Sequence, residues 1–263
     1  MPKKPDTYYR PQTLPEALHL LGQPRVVPLG GGTSLLAGDV EGAVVDLQAL
    51  GLNQIEQTPE HLRVGATLTL SQLAEWLAEN AEPDDPADLL QQVIHLAGPN
   101  TYRHAATLGG VIASRLPDSE LLAALLVLQT TLVLQTPESA NLSLADYLLP
   151  EERPSGLITH IIIPWHNGRG ASERVARTPV DYPIVSVTGW RPEGGSLRLA
   201  ATGIGSRPAR LSAAEAALVA GDRAKAVQAA QAACQHPGDF RGDAAYRAEM
   251  TAVLTRRVLR TLQ

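Results

Sequence analysis

The chain has 263 residues, 44% hydrophobic and 19% charged, with a formal net charge of −5. That balance fits one large globular domain or two modest ones, with enough apolar material for a core and no basic footprint for nucleic acid. A single cysteine, Cys234, excludes an internal disulfide and any four-cysteine iron–sulfur or zinc site, and the seven histidines form no H-x-H or H-E-x-x-H pattern.

The opening "MPKKPDTYYRP" has a basic pair with no apolar segment behind it, so no signal peptide is expected. The longest apolar run, 121–128, is far too short for a membrane span. A cytoplasmic location is the expectation. "TLPEALHLL", 13–21, reads as a helix with Thr13 as its cap and a proline in its first turn. Strand-like runs follow at 26–29, 43–47 and 62–66, then a helix over 71–80 with Ser71 as its expected cap. Residues 81–88 form a loop in which Asp84, Asp85 and Asp88 read as solvated charges and a helix cap rather than a cation site. A helix ends at Gly98, a glycine-bearing stretch covers 100–120, and an apolar helix and a strand follow, up to residue 135. "PEERPSG", 150–156, marks a boundary, and "LITHIIIP", 157–164, is expected to open a second domain. Two further strand-like runs and helices over 212–220, 223–235 and 243–262 complete it. The predicted organisation is residues 1–152 in two sub-parts, about 1–53 and 54–152, followed by 157–263.

Two stretches stand out. "PLGGGTSLLAG", 28–38, sets three glycines before Thr33 and Ser34, and "ATLGGV", 106–111, sets Thr107 beside Gly109 and Gly110. Neither is a P-loop, because the chain's only lysines are Lys3, Lys4 and Lys225, and Leu35 breaks the dinucleotide fingerprint G-x-G-x-x-G. One glycine cluster alone is an ordinary turn. Two clusters, each flanked by hydroxyls, suit an anion approached closely by main-chain amides, as in a diphosphate.

The chain resembles the FAD-binding (medium) subunit of the molybdenum hydroxylases, the xanthine dehydrogenase and carbon monoxide dehydrogenase group, almost from end to end. "YYRPQTLPEALHLL" resembles the family's opening, and "GGGTSLLAG" its first FAD loop, usually A-G-G-T-D-L. "VVDLQALGLNQI" and "LRVGATLTLSQL" resemble the next blocks, and "YRHAATLGGVIA" the second FAD loop, R-N-x-A-T-x-G-G-N. "VARTPVDYPIVSVT", "GSRPARLSAAEAALVAG" and "DFRGDAAYRAEMTAVLTRRVL" resemble its C-terminal domain.

The resemblance implies an α+β chain: a two-part α/β FAD-binding domain of the vanillyl-alcohol-oxidase-like kind, then a smaller α+β domain with a sheet and packed helices. It implies FAD as cofactor and an electron-transfer role. A molybdenum-cofactor large subunit oxidises substrate, an iron–sulfur small subunit relays electrons, and FAD passes them to an acceptor such as NAD or quinone. By the same match the FAD-binding residues are Gly30, Gly31, Gly32, Thr33, Ser34 and Leu35 in the first loop. Arg103, His104, Thr107, Gly109 and Gly110 match the second, and Glu120 stands where the family's P-x-S-D has an aspartate near the adenosine. Arg103 reads equally well as a surface charge. Val111, in place of the family's asparagine, Ser34 and Glu120 are departures. Two alternatives stay open: a stand-alone flavin oxidoreductase, and a degenerate assembly partner without flavin, the latter favoured by Val111 and Glu120.

Overall fold

In the computed structural model, which describes residues 3–136, 138–179 and 181–263, the chain builds three main sheets. The first sub-part contains β1 (Thr7–Tyr9), α1 (Leu14–Leu21), β2 (Val26–Leu29) and β3 (Ala43–Asp46). Its three strands run parallel in the order β1-β3-β2. Thr13 caps α1, as expected, through Glu16 N at 3.4 Å, and Pro15 lies in the first turn, where no intrahelical donor is lost.

The second sub-part contains β4 (Ile55–Gln57), β5 (His61–Gly65), α2 (Leu70–Asn80), α3 (Ala87–Leu96), α4 (Asn100–Ala105), α5 (Leu108–Ser114), α6 (Glu120–Val127), β6 (Thr131–Gln135), β7 (Ser139–Ser143), α7 (Leu144–Leu148) and β8 (Leu157–Pro164). Two expectations are corrected here. Thr69, not Ser71, caps α2, in a reciprocal capping box with Gln72. Ser71 is inside the first turn and buried, its hydroxyl 3.1 Å from His104 Nδ1. The strand expected to open the second domain, β8, is instead the centre of this sub-part's antiparallel sheet, β4-β5-β8-β6-β7. "LITHIIIP" is apolar enough to be covered on both faces, a feature that marks a central strand and carries no information about which sheet it joins.

The second domain follows, with β9 (Gly168–Val175), β10 (Val185–Pro192), β11 (Arg198–Thr202), β12 (Ala209–Arg210), α8 (Ser212–Val219), α9 (Arg223–Ala232), the small hairpin β13 (Gly238–Asp239) and β14 (Gly242–Asp243), and α10 (Ala244–Thr261). Its sheet is antiparallel, β12-β11-β10-β9, and α10 packs against β9 and β10. The architecture is thus the expected two-part domain followed by a smaller α+β one.

What joins the two domains is α6. All eight of its residues are buried, and it packs on α3 on one side and on β10 and β11 on the other. Trp190 and Ala200 of the second domain belong to the same apolar core as Leu121, Leu122 and Leu125. A helix apolar on every face needs such a two-sided setting.

The second domain is pinned by a buried arginine. Arg247, fully buried, donates to the carbonyls of Ile184, Gly203 and Gly242 and to Asp239 Oδ1 at 2.7 Å. Burial alone would raise the Asp239 pKa, but Arg247 and Arg241 hold it well below the usual carboxylate range. Replacing Arg247 with methionine takes the donor from three carbonyls, while Asp239 keeps Arg241. We expect Arg247→Met to lower unfolding free energy by about 2–3 kcal/mol in urea titrations followed by tryptophan fluorescence.

Candidate functional site

The chain leaves β2 through the glycine triplet, and each glycine has its own reason. A Cβ on Gly30 would stand 2.7 Å from Thr107 Oγ1, and one on Gly31 would overlap the Ala105 carbonyl. Gly32 has φ of 72°, a conformation that side chains disfavour. The first stretch is therefore pressed against the second. Beyond it, the amides of Gly31, Gly32, Thr33 and Ser34 meet no acceptor among the described residues. Successive unpaired amides of this kind form an anion-binding concavity. Leu35 begins a 3₁₀ turn over Leu35–Ala37, and Leu36 N closes onto Gly32 O at 3.0 Å.

The second stretch is not the loop that the sequence suggests. It is the first turn of α5, capped by Thr107, whose Oγ1 accepts from Gly110 N at 3.1 Å. The amides here are already used. Leu108 N donates to Leu68 O, Gly109 N to Ala66 O and Val111 N to Thr107 O, each at 2.9 Å. Gly109 is needed for packing, because a Cβ would lie 2.7 Å from that of Ala66. Gly110 is exposed, and beyond the Thr107 hydroxyl a Cβ there would meet nothing within 4 Å.

Gly30, Thr107 and Gly110 open on a cleft of about 230 Å³. That is below the roughly 300–1,000 Å³ of a pocket enclosing a whole drug-sized ligand. Among the lining residues that the sequence reading did not single out are Thr67, Tyr147, Arg153 and Gly156. Of these, Arg153 and Gly156 fall in the segment 150–156, read as a domain boundary, and nothing in its composition pointed to a role.

The remaining expected site residues are placed differently. Thr33 stands beside the Tyr102 phenol, whose pKa burial raises and Thr33 partly lowers, and Ser34 is exposed. Arg103 does not face the cleft. It folds back on the end of α3, donating to His95 O at 3.1 Å and to Gly98 O. His104 ties α4 to α2, its Nδ1 lying 2.9 Å from Asn100 O as well as against Ser71. The acidic loop is a cap, with the Asp85 carboxylate accepting from Glu82 N and Ala87 N.

Glu120 sits outside the glycine cleft. It is 5% exposed, faces Arg174 of β9 with Oε2 3.2 Å from Nη1, and leaves Oε1 without a hydrogen bond. It lines a cavity of about 20 Å³ together with Tyr102, Val111, Asp118 and Tyr182. Burial raises its pKa from 4.5 to about 7, Arg174 partly offsetting this and Asp118 adding to it.

Residues 4–166 match the family described as "FAD binding domain in molybdopterin dehydrogenase", and residues 191–262 match "CO dehydrogenase flavoprotein C-terminal domain". Among curated proteins, Escherichia coli K12 YgfM is 29% identical over 255 residues, spanning 95% of this chain and 93% of that protein. The glyceraldehyde dehydrogenase medium chain of Sulfolobus acidocaldarius is 25% identical, spanning 95% of both. Among solved structures, a chain of carbon monoxide dehydrogenase from Hydrogenophaga pseudoflava superposes with a TM-score of 0.89 at 24% identity, covering 100% of this chain and 98% of that one.

Two expected outcomes follow from the geometry. Gly31→Ala forces a backbone displacement and lowers stability by about 1–3 kcal/mol, whereas Gly38→Ala, where a Cβ meets nothing within 4 Å, leaves the thermal midpoint unchanged. For Glu120, the folded state binds the proton more tightly than the unfolded chain, so stability falls as pH rises from 4.5 to about 7. Glu120→Gln removes that dependence. Relative to the parent it should gain about 3 kcal/mol between about pH 5 and about pH 8, read from paired denaturation curves.

Proposed function

The chain belongs to the family of FAD binding domains in molybdopterin dehydrogenases, and from that premise we propose that it is the subunit through which such a complex hands electrons from iron–sulfur clusters to an outside acceptor. It is an oxidoreductase component with FAD as its cofactor. Bound FAD supplies the redox chemistry, taking up electrons and releasing them, while the protein binds and orients it.

The observation that carries this reading is the junction of the two glycine stretches. Four consecutive amides, from Gly31 to Ser34, meet no acceptor among the described residues, next to a cleft kept open by Gly30 and Gly110. A diphosphate matches this donor set, because its oxygens accept several hydrogen bonds at once and no side chain stands in the way. Thr107 keeps the cleft's floor polar. Its hydroxyl oxygen accepts from Gly110 N, which leaves its proton for an acceptor in the cleft.

One cysteine cannot ligate a four-cysteine cluster, so the clusters reside on a partner. We assign the substrate-oxidising step to a molybdenum-bearing large subunit, the relay to an iron–sulfur small subunit, and the final acceptor to NAD or a quinone. The medium-chain designation of the Sulfolobus relative supports such a division of labour.

The test is direct. Purified chain titrated with FAD in a calorimeter should bind it near one to one and turn yellow, and co-expression with the partner subunits should pull down iron. A colourless protein giving no heat with FAD would sink the proposal.

A further inference from the structure

A diphosphate in the glycine cleft brings about two negative charges, and partial charges on amides have to balance them. The sequence suggests that both glycine stretches contribute amides. In the structure only the first does, since those of Leu108, Gly109, Gly110 and Val111 are already paired. Half of the expected donor set is missing, and the glycine stretches themselves carry no cation.

The cleft has one charged side chain in its lining, Arg153. We propose that Arg153 is the cation that receives the diphosphate of the dinucleotide, in the cleft it lines together with Gly30, the residue just before the free amides of Gly31–Ser34. This rests on the FAD reading above and adds to it a residue that lies outside both glycine stretches.

Three features support the assignment. First, Arg153 is exposed and makes no hydrogen bond or ion pair among the described residues, so its guanidinium is available for a bidentate contact with phosphate oxygens. The acidic neighbours Glu151 and Glu152 are exposed, and neither lines the cleft nor pairs with it.

Second, the segment that carries it is fixed in place. Arg115, buried at the end of α5, donates to Leu148 O at 2.9 Å, to Glu151 O at 3.3 Å and to Pro150 O. Arg207 reaches the same turn from the second domain, donating to Leu148 O and Glu151 O at 2.9 Å each. Two guanidinium groups thus clamp the carbonyls just before Arg153, and Pro154 restricts the backbone just after it.

Third, its charge is felt at the site. Burial raises the pKa of the Tyr147 phenol, which lines the cleft, and Arg153 acts to lower it. Arg153 also acts as a like charge on Arg115. An anion at the rim relieves this crowding of three arginines.

The experiment measures FAD affinity by calorimetry at about 50 and 200 mM salt for the parent, Arg153→Gln, Arg153→Lys and, as a control, the exposed Arg191→Gln, which lies outside the cleft. Arg153→Gln should weaken binding about ten-fold or more and flatten its salt dependence. Arg153→Lys should keep most of the salt dependence, and Arg191→Gln should match the parent. Because Arg153 supports no other group, Arg153→Gln should keep the parent's thermal midpoint without FAD, so the loss is read as lost contact and not as unfolding. If the parent binds FAD and Arg153→Gln binds it equally well with the same salt dependence, this assignment is overturned and the FAD reading stands. If the parent binds no FAD, both fall.

Discussion

The contact between the Gly30–Gly31 backbone and the turn from Ala105 to Thr107 is the constraint on which the site depends. It brings residues about 75 positions apart to van der Waals distance, and nothing larger than hydrogen fits between them. The four amides from Gly31 to Ser34 meet no acceptor among the described residues. Residues 31–33 are half-buried and Ser34 is exposed, so these amides are open to water or to an anion that takes its place. The amides of α5's first turn, by contrast, are bonded to Leu68, Ala66 and Thr107. One stretch serves as anchor and the other as receptor.

A second dependence runs through α6. This helix packs on both α3 and the second domain's sheet, and Glu120 at its first position meets Arg174 across that boundary. The Arg207 clamp on the 148–151 carbonyls crosses the same boundary. The second domain therefore braces the cleft without lining it.

Much of this was legible in the sequence, and the failures have physical causes. Thr13 and Pro15 announce α1 because capping is local chemistry, and the boundaries of α8 and α10 follow from their apolar spacing. The α2 cap was misassigned by two residues because Ser71 and Thr69 are both good capping residues. What separates them is Gln72, whose side chain closes the box only from Thr69. The strand 157–164 was placed in the wrong sheet because burial on both faces shows in a sequence, whereas the partner strand does not. Gly109 and Gly110 looked like a loop because glycine is a poor helix former. Here tertiary packing against Ala66 overrides that propensity. Arg103 illustrates the opposite limit: its neighbours pointed to a site, but the nearest acceptors are the unpaired carbonyls ending α3.

The departures from the family pattern gain meaning from where they fall. Val111 and Glu120 line the same small cavity at the domain boundary, and neither lines the glycine cleft. An apolar side chain at 111 removes polar groups from a space of about 20 Å³, room for a single water at most. A longer carboxylate at 120 reaches Arg174, and what that geometry leaves unbonded is its own Oε1. The two changes therefore modify how the domains meet. The third departure, Ser34, contributes to the cradle through its main-chain amide, a group that every residue except proline supplies equally. A site built from backbone tolerates side-chain drift as long as its glycines and the path of the chain are kept.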